Sequence, residues 1–183
     1  MSINEFIMFV GPMFGGKTTR LLSALERFKY QGKKIYTFKP SIDERYSCNN
    51  IVSHWGALIA STQIFNAHEI SDLITSKNES LIIAIDEAFM IEGISQVLIN
   101  AYHAGHTILV SSLQLSSNGS PYREIEKMLP HATKVEVCPA VCAFDGCESN
   151  AYFTLKIGGR DDHEIEVGGE DMYQPRCLVH FKV

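Results

Sequence analysis

The chain has no hydrophobic run near the ~18 apolar residues a membrane-spanning helix needs, so an integral helical membrane protein is excluded. Positive charge is also short: 16 Lys and Arg against 21 Asp and Glu leave a net charge of −5. That is the opposite of the basic excess that holds nucleic-acid polymers or anionic membranes. There is no internal repeat and no low-complexity segment, and 45% hydrophobic with 20% charged residues is the composition of an ordinary folded domain. The opening stretch MSINEFIMFVGPMFGGKTT has neither the basic flank nor the cleavage pattern of a signal peptide. A reducing cytoplasm is therefore expected. Cysteine is nearly absent early and then accumulates: of the five, only Cys48 precedes Cys138. Clustered cysteines in a reducing compartment bind metal or do chemistry more often than they form disulfides.

At about 150 residues per domain, 183 residues make roughly 1.2 domains. Phe6 to Val10 is a short apolar run ending at glycine, as a buried strand does. Leu21, Leu22, Leu25 and Phe28 recur at helical spacing and predict a helix from Thr18 to Tyr30, stopped at Gly32. Lys34 to Lys39 alternates like a strand, and the polar stretch after it reads as a loop until Ile51. Asn66 with Glu69 resembles a capping box for a helix through Ile70, Leu73 and Ile74. Leu81 to Ile85 and Thr107 to Leu113 predict buried strands, Gly93 to Ala104 a helix between them. Ser120 and Pro121 predict the cap and first turn of a helix through Leu129, and Lys134 to Val137 a final short strand. Strands alternating with helices point to an α/β fold with a mostly parallel sheet covered on both faces. From Cys138 helical periodicity ends, and two strand-like pieces, Ala151 to Ile157 and Glu164 to Val167, flank a polar segment. The expected organisation is an α/β domain over residues 1–137 and a small lobe over 138–183, too short to hold a good core without a staple.

Gly11, Pro12, Met13, Phe14, Gly15, Gly16, Lys17 and Thr18 complete the pattern G-x-x-x-x-G-K-[ST] between a predicted strand and a predicted helix. Glycines let the backbone wrap so that its N–H groups face phosphate oxygens. Lys17 reaches the outer phosphates, and Thr18 offers its hydroxyl to Mg²⁺. Thr19 continues into the helix. Such a loop needs a carboxylate for its metal at the end of a neighbouring apolar strand; Asp86 supplies it, and Glu87 beside it is placed to accept a proton from an attacking hydroxyl or water. A P-loop alone leaves the nucleophile open between water and an acceptor hydroxyl. The compact chain without a basic patch favours a small acceptor.

GPMFGGKT, KPSIDERYS at Lys39 to Ser47, the Asp86–Glu87 pair, the late cysteines and VGGEDMYQPRCLVH at Val167 to His180 together resemble the zinc-containing type II thymidine kinases, over nearly the whole chain. The resemblance implies a P-loop NTPase-like domain with a zinc lobe, a homotetramer, and transfer of the γ-phosphate of ATP to the 5′-hydroxyl of thymidine. It implies that Glu87 is the general base, that Asp86 and Thr18 serve Mg²⁺, and that Lys17 holds the donor phosphates. Arg45 and Asp43 would stand near the phosphoryl group or its metal. Met13, Leu113, Tyr122 and Tyr173 match positions around the base, and the backbone of Val167, Gly168 and Gly169 a loop that folds over it. The chain departs from the family where glutamine and an aromatic usually follow the glutamate, here Phe89 and Met90. It departs again where aspartate and phenylalanine usually follow the fourth strand, here Gln114 and Ser117. All four changes fall on the acceptor side, so a kinase of altered base preference is the alternative; a P-loop ATPase and a nucleotide-binding regulator are the others.

Cys142-x4-Cys147 and Cys177-x2-His180 form two pairs of soft or borderline ligands, the arrangement of a structural tetrahedral zinc site. The spacing also allows Cys138 in place of Cys142; the family's register favours Cys142. Four protein ligands leave no open position. Outside these motifs, His103 and His106 are expected to be solvated, Trp55 beside His54 to pack, and Cys48 to be a spectator thiol.

Overall fold

A computed structural model describes residues 4–43, 49–53, 56–75, 79–158 and 167–182. Arg45, Cys48, His54, Trp55 and most of the strand expected at Glu164 to Val167 lie outside these residues. The elements in order are β1 (Phe6–Val10), α1 (Lys17–Tyr30), β2 (Ile35–Pro40), β3 (Asn50–Val52), β4 (Leu58–Ala60), β5 (Thr62–Ile64), α2 (His68–Thr75), β6 (Ile82–Asp86), α3 (Ile94–His103), β7 (Thr107–Ser112), α4 (Arg123–Met128) and β8 (Lys134–Val137). Short strands β9 (Ala140–Val141), β10 (Asn150–Ala151), β11 (Phe153–Lys156) and β12 (Tyr173–Arg176) follow.

The central sheet has six strands in the order β5-β2-β6-β7-β1-β8, every pair parallel. Alternation along β1 splits the core in two. Phe6, Met8 and Val10 pack with Ile94 and Leu98 of α3 and with Ile125 and Met128 of α4, whereas Ile7 and Phe9 pack with Leu21, Leu25 and Phe28 of α1. Both faces of β6 and β7 are buried throughout, which is why they are apolar from Ile82 to Ile85 and from Ile108 to Val110. Among the described residues, no helix is long and apolar enough to cross a membrane.

The capping box exists: Glu69 Oε1 accepts the N–H groups of Phe65 and Asn66 at 2.8 and 3.1 Å, and Asn66 Oδ1 accepts that of His68. Two expectations fail locally. The helix expected to start at Ser120 and Pro121 begins at Arg123 with Tyr122 as N-cap. Ser120 and Pro121 are held instead in a turn: the Ser120 carbonyl accepts the Ser116 N–H at 2.9 Å, and Pro121 bridges to Leu115. The strand expected over Ala151 to Ile157 is two strands, β10 on β9 and β11 on β12.

His106 is buried, at 5% exposure, and not solvated; His103 is exposed. The Nδ1 of His106 accepts the Leu81 N–H at 3.1 Å, which requires the neutral ring, and burial holds its pKa below the usual 6.5. The folded state therefore binds fewer protons than the unfolded chain below pH 6.5, so His106's contribution is complete above that pH and lost as pH falls through the lower folded value. The melting temperature should fall on acidification from pH 6.5 to 5. His106→Asn, whose Oδ1 can accept the same N–H without titrating, should flatten that fall. An unchanged slope in the variant would remove the assignment.

Candidate functional site

The parallel strands end together, and the site lies where β1, β6 and β2 release the chain. After Val10 the loop turns through Gly11 (φ 154°), Phe14 (φ 63°) and Gly16 (φ 74°) into α1. Gly11 and Gly15 are required by a close approach. A Cβ at either would come within 2.3 Å of the Cys138 carbonyl oxygen, whose residue is itself tied down by its N–H to Val10 O at 2.7 Å. Lys17 is buried and donates to the Pro12 carbonyl at 2.6 Å, inside its own loop. Thr18 Oγ1 donates to the Asp86 carboxylate, 3.1 Å from Oδ2 and 3.2 Å from Oδ1.

Burial, and then the charge of Glu87, push the Asp86 carboxyl up to about 7, against the hydrogen bond from Thr18 and the charge of Lys17. A desolvated carboxylate of this kind gains most from a bound cation. Its contact with the Thr18 hydroxyl makes the pair a fitting donor set for Mg²⁺. Glu87 has left-handed backbone (φ 52°, ψ 44°) and opens a 3-10 turn, Ala88–Met90. That conformation costs a non-glycine residue of order 1 kcal/mol or more. Glu87 lines the cavity it shares with Asp86 and a second, smaller one beside it.

The larger cavity, about 420 Å³, is lined by Met13, Phe14, Gly16, Lys17, Thr18, Thr19, Asp43, Asp86 and Glu87 of the sequence-predicted residues, and by Lys39 and Glu170, which sequence reading did not assign. The smaller, about 20 Å³, is lined by Met13, Glu87, Phe89, Met90, Leu113, Ser117, Tyr122, Gly168 and Tyr173. Gly168 sits between Val167 and Gly169, and the Gly169 carbonyl accepts the N–H groups of Met172 and Tyr173. Phe89 fills the wall of this cavity: its N–H donates to Ser112 Oγ at 3.1 Å, and its ring meets Tyr122 with centroids 4.5 Å apart. Gln114 does not line the cavity among the described residues; its carbonyl accepts the Tyr122 N–H at 3.2 Å. Thr154 was not identified as a site residue from sequence. It lines the small cavity and accepts the Met13 N–H at 3.0 Å, joining β11 to the P-loop.

Cys142, Cys147, Cys177 and His180 bring one ligand atom each within 4.8 Å of one another. Cys142 Sγ lies 3.6 Å and Cys177 Sγ 3.3 Å from His180 Nδ1, and Cys147 Sγ is 4.0 Å from Cys177 Sγ. Atoms bound to zinc at ~2.0–2.3 Å in a tetrahedron stand about 3.3–3.8 Å apart, so the set fits Zn²⁺. Against the burial that would raise it, the amides of Cys177 and Phe144 hold the Cys142 thiol below its ordinary value, which favours the ligating thiolate. Phe144 stacks on His180 with centroids 4.0 Å apart. Cys138 stands outside the cluster, under the P-loop, with its thiol toward Glu136 O at 3.7 Å. The two readings of the cysteine spacing are thereby separated in favour of Cys142.

A glycine loop between a buried strand and a helix, its lysine folded inside and an acidic strand end opposite define a P-loop nucleotide-binding protein. A DnaB-like replicative helicase shares this fold, with TM-score 0.50 and 13% identity over 73% of this chain and 47% of that one. The model of the thymidine kinase family matches residues 4–181. Thymidine kinases of Ureaplasma urealyticum serovar 10 and Ureaplasma parvum serovar 3 are 34% and 33% identical, each over 96% of this chain and 82% of its own length. The chain belongs to the thymidine kinase family.

Proposed function

We propose that the chain transfers the γ-phosphoryl group of ATP to the 5′-hydroxyl of thymidine. The observation that carries the assignment is the position of Glu87, which lines both the large cavity of the P-loop and the small cavity beside it. The large cavity takes the nucleotide, its phosphates on the loop of Gly11 to Thr19, with Lys17 at the outer phosphates and Asp43 close by. Arg45 joins this side by resemblance to the family. Thr18 and Asp86 would hold Mg²⁺, which when bound neutralises charge on the phosphates. In the small cavity Met13, Phe89, Leu113, Ser117, Tyr122 and Tyr173 enclose the base, under the backbone of Val167 to Gly169. The acceptor oxygen forms a bond to the γ-phosphorus as the bond to the bridging oxygen of the leaving ADP breaks. Glu87 takes the hydroxyl proton.

The small cavity is far below the ~300 Å³ of a ligand site, so admitting a nucleoside requires its walls to part. We take residues 138–183 to be a zinc-stapled lobe on a P-loop domain of 1–137. The protein is taken to be a cytoplasmic homotetramer that binds neither nucleic-acid polymers nor membranes. Exposed Val135 and Val137 on the edge strand β8 support self-association, and sedimentation at several concentrations tests it.

A second reading has its own observation: Phe89, Met90 and Ser117, three departures from the family pattern, all line the acceptor cavity. Turnover across thymidine, deoxyuridine, 5-modified deoxyuridines, deoxycytidine and purine deoxynucleosides decides between them. The expected result is highest kcat/KM for thymidine. A clear preference for another base would establish the altered pocket, and ATP consumption independent of any nucleoside would establish an ATPase.

A further inference from the structure

Lys39 has no role in the mechanism above, yet it lines the same cavity as the P-loop residues. It is 4% exposed, so the fold holds its position closely. On β2 it stands one residue beyond Phe38, as Asp86 on β6 stands one beyond Ile85, and Phe38 pairs with Ile85 in register. Phe38 belongs to the core on the α3 side, while Ile35, four residues before Lys39, packs with the α1 cluster. By strand alternation Lys39 therefore shares the face of α1 and the P-loop. Its side chain lines the 420 Å³ cavity with Lys17, Asp43, Asp86, Glu87 and Glu170. The strand order β2-β6-β7-β1 puts it on the far side of Asp86 from the P-loop, beyond the reach of the loop's own amides.

Charge supplies the rest. Two ammonium groups line this cavity against four carboxylates, and a nucleoside triphosphate adds further negative charge. The end of the phosphate chain farthest from the P-loop amides has the greatest need of a fixed cation. We propose that Lys39 is a second phosphate-binding cation of the donor site, which holds an oxygen of the outermost phosphoryl group from the β2 side while Lys17 holds the chain from the loop side. The inference rests on the kinase reading for its catalytic consequence only; the binding consequence stands without it.

The test compares Lys39→Met, Lys39→Gln and Lys39→Arg with the wild-type chain, using tripolyphosphate and pyrophosphate with Mg²⁺ as calorimetric probes and thymidine turnover as the catalytic readout. Both neutral variants should bind tripolyphosphate about tenfold more weakly and pyrophosphate within about twofold of wild type, because only the third phosphate reaches Lys39. Tripolyphosphate binding should also become less salt-sensitive, kcat should fall on the order of a hundredfold with KM for thymidine unchanged, and Lys39→Arg should recover most of the tripolyphosphate affinity. Wild-type tripolyphosphate affinity in a neutral variant, or equal weakening of both probes, would overturn the proposal. So would unfolding of both neutral variants while Lys39→Arg folds, since that assigns Lys39 to structure. If the probes behave as expected but the wild-type chain phosphorylates no nucleoside, the kinase reading fails and the phosphate-binding assignment stands.

Discussion

Glu87→Gln should lower kcat for thymidine phosphorylation by about a thousandfold while leaving ATP affinity within a few-fold of wild type. The substitution keeps the size of the side chain between the two cavities and removes only its ability to take a proton. General-base catalysis is worth roughly 10²–10⁴-fold, or about 3–5 kcal/mol of barrier. The phosphate-binding loop, Lys17 and the Thr18–Asp86 contact are left in place, which is why nucleotide binding should survive. Single-turnover rates with calorimetric ATP titrations separate the two effects. Near-wild-type turnover in Glu87→Gln would overturn the general-base assignment, and lost ATP binding would show that Glu87 supports the loop instead.

Loss of the metal should have the broader effect. Cys177→Ser, or a strong chelator, should remove about one zinc per chain and lower the melting temperature by on the order of 10 °C or unfold the protein. Structural zinc sites contribute apparent free energies of about 10–16 kcal/mol, comparable with the whole stability of a domain, about 5–15 kcal/mol. The described part of the lobe has only a small core of Ala140, Cys142, Ala151 and Cys177, two of which are themselves candidate metal ligands, with a third, Cys147, packed against it. Without zinc, β11 should no longer hold Thr154 against the Met13 N–H at 3.0 Å, and the chain after Cys138 would no longer be anchored beside Gly11 and Gly15. ATP affinity should therefore fall as well, unlike in Glu87→Gln. Elemental analysis with thermal melting and ATP titration checks this; a zinc-free, fully stable and active protein would sink the claim.

Much of the donor side was legible because its chemistry is local. Phosphate binding by backbone amides needs glycines at fixed spacing, and Gly11, Gly15 and Gly16 stand in a single loop ahead of Lys17 and Thr18. Asp86 and Glu87 were legible for the same reason, as an acidic break at the end of an uninterrupted apolar strand. The cysteine–histidine cluster was legible as two close pairs, though local spacing admitted Cys138, which among the described residues stands outside the group that could hold a metal. The strands β3, β4 and β5 were not legible, because three-residue strands are too short to show alternation.

By itself the sequence determined the alternation of strands and helices, the phosphate loop, the acidic strand end and a tail rich in cysteine. These follow from residue types a few positions apart, where backbone conformation and ligand chemistry act directly. Tertiary structure alone decided that Glu87 lines two cavities at once, that Lys39 is buried beside the P-loop cavity, that Thr154 accepts a P-loop N–H and that His106 is buried as a hydrogen-bond acceptor. Each depends on which distant strands lie side by side. That is set by the summed packing of both sheet faces in the order β5-β2-β6-β7-β1-β8, which no short run of residues encodes.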